Sequence, residues 1–352
     1  MLGFYGTEKI HLLFSSDFIL WTVFGLFVGL AMAIDIGLIR EPMARIRRRE
    51  SISKKQGMNS NKCGSAATFG HALMWTIIWI SLAAIFAGII YATMGYEKTL
   101  EYITGYTLEK SLSVDNMFVF LLIFSSLGIP HAYQHRVLSV GIISAIAMRI
   151  PLIIAGVSLL ETFRWMIYVF GGLLVLTAIR MLLQRKEKKI EVEKNIAVRL
   201  LKKVMPVYPE LNQNHFFARI NGILYATPML VALVIVEMTD LVFAMDSIPA
   251  VLAVTSSTFI VITSNIFAII GLRSLYFLLA GLMEKFYYLK PGLVALLLFI
   301  GSKMILSEHL KVPIIVSLLI IFGILGAALM MSVLKTRSLS KIQEHQHKQG
   351  SV

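Results

Sequence analysis

The chain has 352 residues, of which 57% are hydrophobic and only 15% charged, and its mean hydropathy is +0.77. Charge this sparse cannot coat a soluble globule of that size, so the composition points to a helical protein of the membrane. The net charge of +13 sits on Lys and Arg between long apolar runs, which argues for setting topology and against nucleic acid as a partner. The single cysteine, Cys63, excludes a disulfide framework within one chain and a thiolate metal cage.

Nine transmembrane helices are predicted in chain order, near residues 18–38, 72–91, 101–124, 137–160, 165–183, 223–251, 258–282, 289–306 and 313–334. Each is long enough to cross about 30 Å of hydrocarbon at about 1.5 Å per residue. No secretory signal peptide is expected, because the first apolar run lacks a basic flank and a small-residue cleavage site ahead of it. The first span carries Asp35 near its inner end. The basic loop after it, about 39–70, holds Arg45, Arg47, Arg48 and Arg49.

The third span carries Glu109-Lys-Ser-Leu-Ser-Val-Asp115-Asn116, and the fourth carries Arg149 in an apolar run. A second basic loop, about 184–216, follows the fifth span. The sixth carries Glu237-Met-Thr-Asp240-Leu-Val-Phe-Ala-Met-Asp246-Ser247, and the seventh carries Arg273. A carboxylate at bilayer depth costs roughly 2.5–3.5 kcal/mol on insertion scales, so several of them imply a cation pathway. With nine spans, both basic loops, the lysines before span eight and the tail after Lys335 fall on one side. Positive-inside makes that side cytoplasmic, leaving the N-terminus outside and the C-terminus inside.

The two acidic motifs head matching halves, about 101–183 and 223–306. In each, an acid is followed six residues later by Asp and then Asn or Ser. The next helix brings an arginine, and the third ends in Arg180-Met-Leu-Leu or Lys303-Met-Ile-Leu. Three spans per half put the halves in opposite orientations, an inverted repeat of three helices plus three with a site near the midplane. One transmembrane domain, about 1–338, is expected, followed by a polar cytoplasmic tail at 339–352.

Within an unbroken helix, residues six apart differ by about 9 Å in rise and about 120° in rotation, whereas residues seven apart share a stripe. Glu109 and Asn116 therefore face together while Asp115 does not, and Asp240 pairs with Ser247 in the same way. Two acids of one motif can face a single ion only if the helix unwinds or the ion steps between sites. Gly105 and Pro249 are the candidate break points.

The candidate metal ligands are Glu109, Asp115, Asn116, Asp240, Asp246 and Ser247, with Asp35, Glu237, Arg149 and Arg273 in support. All six offer oxygen, which suits Mg, Ca and Mn rather than Zn or Cu. Of the eight histidines none lies near the acidic motifs; His71 and His215 read as interfacial residues, and His345 and His347 as part of a solvated tail. Each arginine either neutralises an acid in the ion-free state and yields to the cation, or is a fixed tie between helices. Glu237 is a ligand or an arginine partner. Asp35 either serves the ion path or reaches the headgroups.

Asn221-Gly-Ile-Leu-Tyr-Ala-Thr-Pro, the stretch from Val236 to Ala250, and Thr263-Ser-Asn-Ile-Phe-Ala-Ile-Ile-Gly-Leu-Arg resemble the TerC family. With Glu109-Lys-Ser-Leu-Ser-Val-Asp-Asn, they are most similar to its Alx-type, manganese-exporting branch. The resemblance spans about residues 18–334. It implies a lysine-exporter-like polytopic fold that moves Mn(II) out of the cytoplasm, and it favours a role for Asp35, since the family has an acid there.

The resulting expectation is a secondary exporter of divalent manganese in a bacterial inner membrane, exchanging against protons. It is not an enzyme and holds no permanent cofactor; Mn2+ is cargo, and the partners are Mn2+, H+ and the lipid bilayer, with other membrane proteins as a further class. No Walker loop is present to couple ATP. The alternatives are an accessory protein supporting insertion or metal loading of other proteins, or a component of a tellurite-resistance complex.

Overall fold

The computed structural model describes residues 18–34, 63–183, 196–207, 215–220, 222–280, 288–307 and 312–349. The chain divides into two units, Met1–Met58 and Asn59–Val352. Of the first, the described part is one apolar helix, α1 (Phe18–Ile34). Asp35 and the basic stretch at 39–62 lie outside the described residues, as do 184–195.

The second unit is almost entirely helical. Its elements are α2 (Cys63–Met94), α3 (Tyr96–Ser126), α4 (His131–Thr162), α5 (Met166–Leu183), α6 (Ile196–Val204), a hairpin of β1 (Phe217–Ile220) and β2 (Ile223–Ala226), α7 (Pro228–Leu252), α8 (Thr258–Ile270), α9 (Leu272–Ala280), α10 (Leu289–Ile305) and α11 (Ile314–Gln349). Five of the described helices are long and apolar enough to cross a bilayer: α2, α4, α5, α7 and α11. Six result if α8 and α9, bent by 43°, form one span; α1 and α10 are apolar but shorter. The 31-residue α3 differs in carrying Glu109, Lys110 and Asp115 through its middle. Large apolar side chains such as Ile77, Leu176, Leu319 and Met330 stand exposed, as on helices solvated by lipid.

The centre is built by α3, α4, α7 and α8. A Cβ at Gly105 of α3 would lie 2.9 Å from Ser264 Oγ of α8 and 3.2 Å from Val251 of α7. Five residues on, Lys110 reaches the Ala268 carbonyl. So α3 runs parallel to α8, and it runs antiparallel to α7, whose Asp240 meets the level of Glu109. Similarly, α4 runs parallel to α7, with Gly141 against Glu237 and Gly156 against Ile248 and Leu252.

Outside this core, α5 packs along α10, α2 along α3 and α9, and α11 along α10 and α3. The α5–α10 contact is close because both sides lack a side chain. A Cβ on Gly301 would sit 2.8 Å from the Gly171 carbonyl oxygen, and one on Gly171 3.0 Å from that of Gly301. Small residues permitting backbone approach are how helices gain packing energy in lipid, where burial from water contributes little.

Several sequence expectations change. The sixth span begins at Pro228 rather than residue 223: residues 223–226 pair with β1, and proline suits the first helical turn because its missing N–H has no intrahelical partner there. Neither acidic motif is unwound. Gly105 serves close approach rather than a break, and Pro249, one turn from the end of α7, leaves the helix continuous. The break lies between α8 and α9, at Gly271. The backbone expected as a polar tail continues α11 to Gln349. Of the mixed-charge stretch 185–203, residues 185–195 lie outside the described residues, and the remainder falls in α6. Its Ala197 and Val198 are buried, Leu200 and Val204 extend the apolar stripe outward, and Arg199, Lys202 and Lys203 form the opposite stripe.

Candidate functional site

A guanidinium can be held in an apolar core only if carboxylates and further acceptors take up its charge and its donors. Arg149, 1% exposed, meets that condition through three helices at once. Its Nε and Nη2 donate to Asp240 Oδ2 and Oδ1 of α7 at 3.0 and 2.8 Å, a bidentate fork. Its Nη1 donates to Glu109 Oε1 of α3 and to Asn265 Oδ1 of α8, the latter at 3.3 Å. Glu109 and Asp240 are 1% and 4% exposed, so bulk solvent does not screen these pairs.

The centre is not saturated. Glu109 Oε2 and Asn265 Nδ2 are buried without a hydrogen-bond partner among the described residues. Two carboxylates surround one guanidinium, leaving a formal excess of one negative charge. Tyr106, Glu109 and Ser113 lie on one stripe of α3, and the Tyr106 hydroxyl and Ser113 Oγ are likewise buried and unpartnered.

The structure brings together the first acid of each motif, Glu109 and Asp240, and separates the second acids. From that meeting point α3 and α7 run in opposite directions. Positions 115 and 246 therefore lie about 9 Å away on either side, about 18 Å apart along the helices. Asp246 is half-buried and accepts from Thr177 Oγ1 of α5 at 2.9 Å. The side chain of Asp115 lies outside what is described; its neighbour Asn116 is buried. Ser247 is buried on the same stripe as Asp240, with its Oγ unpartnered. Among the described residues, no three of His, Cys, Asp and Glu stand close enough to form a metal cage.

Glu237, one turn before Asp240, lines a small cavity with Asp240, Arg273, Gly141 and Phe120, and its Oε2 is buried without a partner among the described residues. Gly141 leaves room for this carboxylate: a Cβ there would lie 3.0 Å from Oε1. Arg273 is buried in the same lining and donates to Ser139 Oγ at 3.1 Å.

Sequence reasoning missed four participants. Asn265 sits in a quoted motif, yet a lone amide on an apolar helix gives no hint of its partner. Thr177 is one more hydroxyl on a lipid-exposed helix. Lys110, beside Glu109, donates to the Ala268 carbonyl at 3.2 Å, placing a cation at the C-terminal end of α8 where the break frees carbonyls. Gly271 makes room for it, since a Cβ there would lie 2.7 Å from the ammonium. Glu101, buried near the start of α3, accepts from Thr255 Oγ1 at 2.5 Å and from Lys98 at 2.8 Å.

Apolar helices with exposed hydrophobic flanks around a buried cluster of ionised side chains define a polytopic membrane protein with charged groups at its core. The chain belongs to the TerC family: the signature described as integral membrane protein TerC family matches residues 94–340. It is 46% identical over 318 residues to an uncharacterized membrane protein of Myxococcus xanthus, covering 90% of this chain and 93% of that one. It is 43% identical over 275 residues to a Salmonella typhi protein named "Putative membrane-bound redox modulator Alx", covering 76% of this chain and 85% of the relative. The Escherichia coli K12 protein of the same name is 39% identical over 315 residues, 87% of this chain and 92% of that protein. No solved structure matches the chain.

Proposed function

We propose that this protein is a secondary exporter of divalent manganese in a bacterial inner membrane, with protons as the counter-ion. The observation that carries the reading is the convergence of Glu109 and Asp240, from different thirds of the chain, on one buried cationic point. Buried ionised groups are costly in a membrane and mark ion pathways. The three side chains that accept from Arg149 (Glu109, Asp240 and Asn265) all do so through oxygen, which suits a hard divalent cation.

An inverted repeat over nine spans, α8 and α9 counting as one, accounts for the packing. If α3, α4 and α5 correspond to α7, α8–α9 and α10, the α3–α8 contact corresponds to α7–α4, and both pairs run parallel. The α3–α7, α4–α8 and α5–α10 contacts map onto themselves. Helix weak points correspond too: Pro151 follows Arg149 by two residues, and the break at Gly271 precedes Arg273 by two. On this reading the second acids, Asp115 and Asp246, stand on opposite approaches to the centre. The cation then steps from the cytoplasmic side past position 115, through Glu109 and Asp240, to Asp246 and out. Alternating access follows if one half rocks against the other. Loop charge supports an orientation with the N-terminus outside and the C-terminus in the cytoplasm.

The relatives' name favours a second reading, a role in redox balance. Thiol cycling within one chain is unavailable to it, since Cys63 is the single cysteine. The readings separate in sealed vesicles. The purified chain should move Mn2+, with Ca2+ competing and Zn2+ or Cu+ poorly carried. Absence of any divalent flux would favour the redox or accessory role.

A further inference from the structure

We infer that Arg149 is a built-in competitor of the cargo: the guanidinium occupies the cation position between Glu109 and Asp240, and the transported ion must displace it. This rests on the ion-transport reading above and names how that site is regulated. Three observations carry it. First, Arg149 holds both first acids at once, with a bidentate fork on Asp240 and its remaining nitrogen shared by Glu109 and Asn265, so it fills the space a cation bridging the two halves would take. Second, the ligand shell is larger than the arginine uses. Glu109 Oε2 has no partner among the described residues and Asn265 Oδ1 is held only at 3.3 Å, so oxygens remain for an ion that demands more than one donor from each side. Third, the helix carrying the arginine is weakened at that level. Pro151 lies inside α4 two residues on and removes the hydrogen bond to the carbonyl of Ala147, leaving the segment around Arg149 easier to bend.

The physical consequence is that the ion-free carrier never exposes two bare carboxylates to an apolar core. It also cannot close around a cation without first releasing an internal one. A ligand that must compete with a resident group binds more weakly by the fraction of time the site is free. Weak cargo binding and fast release are thus properties of one residue. A purely structural arginine would instead be needed with cargo bound and unbound alike.

The test uses the full-length protein in nanodiscs for Mn2+ binding and in liposomes for Mn2+ flux, comparing wild type, Arg149→Gln and Arg149→Lys. If the guanidinium occupies the site at least about nine-tenths of the time, Arg149→Gln should bind Mn2+ at least about tenfold tighter and turn over more slowly, the ion being trapped. Arg149→Lys, which keeps the charge but loses the fork, should fall between them in both affinity and turnover. Wild-type affinity in folded Arg149→Gln, or weaker binding there, overturns the inference in favour of a fixed tie. Should Arg149→Gln not fold, Arg149→Lys decides: wild-type affinity and turnover in that variant overturn the inference. Wild-type protein that binds neither Mn2+ nor Ca2+ overturns the transport reading itself, and this inference with it.

Discussion

Asp240 and Asp246 lie six residues apart on one helix, and their settings predict different costs of neutralisation. Asp240 shares a buried fork with Arg149, so Asp240→Asn leaves a guanidinium short of charge in the core. Breaking one side of a buried ion pair costs about 3–5 kcal/mol, and a thermal melt in detergent should fall accordingly. Asp246 is half-buried and held by one hydroxyl of Thr177, so Asp246→Asn should cost about 1 kcal/mol or less. Both variants should nevertheless lose Mn2+ export, as should Asp115→Asn, because each removes a charged ligand at nearly constant size. Efflux assays normalised to membrane abundance check this. Wild-type efflux from Asp246→Asn would remove that residue from the path. The motif acids Glu109, Asp115, Glu237, Asp240 and Asp246 were legible in the sequence, because a carboxylate in an apolar run is conspicuous. Their partners were less so: helical periodicity gives the stripe a residue occupies but not which other helix faces it. Asn265 and Thr177, ordinary polar residues until placed opposite an ion, therefore went unnoticed.

At the scale of elements, helix contacts here depend on missing side chains as much as on present ones. Gly301→Leu should force α5 and α10 apart, since even a Cβ would come within 2.8 Å of the facing carbonyl. Overpacking costs about 1–3 kcal/mol, so its melting temperature should drop while Gly323→Leu, at a position with open space around it, stays near wild type. Equal melts for the two would mean that the α5–α10 approach is not a packing determinant. Helix positions were readable because apolar runs of membrane length have few alternatives, and each predicted span overlies helix in the described residues apart from the start of the sixth, where 223–226 form β2. The breaks were not. Pro249 and Gly105 carry the local signal for a break, yet one sits near a helix end and the other serves close packing. The actual bend at Gly271 is stabilised by Lys110 from another helix, a long-range contact invisible to local sequence rules. Only the second strand of the hairpin, 223–226, falls within a predicted span, for a similar reason: Ile223-Leu-Tyr-Ala is apolar like the helix that follows.

For the whole molecule, the proposed transport requires two halves in opposite orientation sharing one ion path. A reporter fused after Lys348 should read cytoplasmic and one inserted near Ser256 external; both on one side would break the odd span count that inversion needs. The central claim, vectorial manganese export against protons, is most directly tested by reconstituting the purified protein in liposomes carrying a manganese-sensitive dye and a pH dye. Mn2+ movement should drive protons the opposite way, accelerate under an imposed pH gradient of the right sign, and disappear in Asp115→Asn and Asp246→Asn. Mn2+ flux indifferent to the gradient would contradict proton coupling, and no flux of Mn2+ under any gradient would contradict the account as a whole.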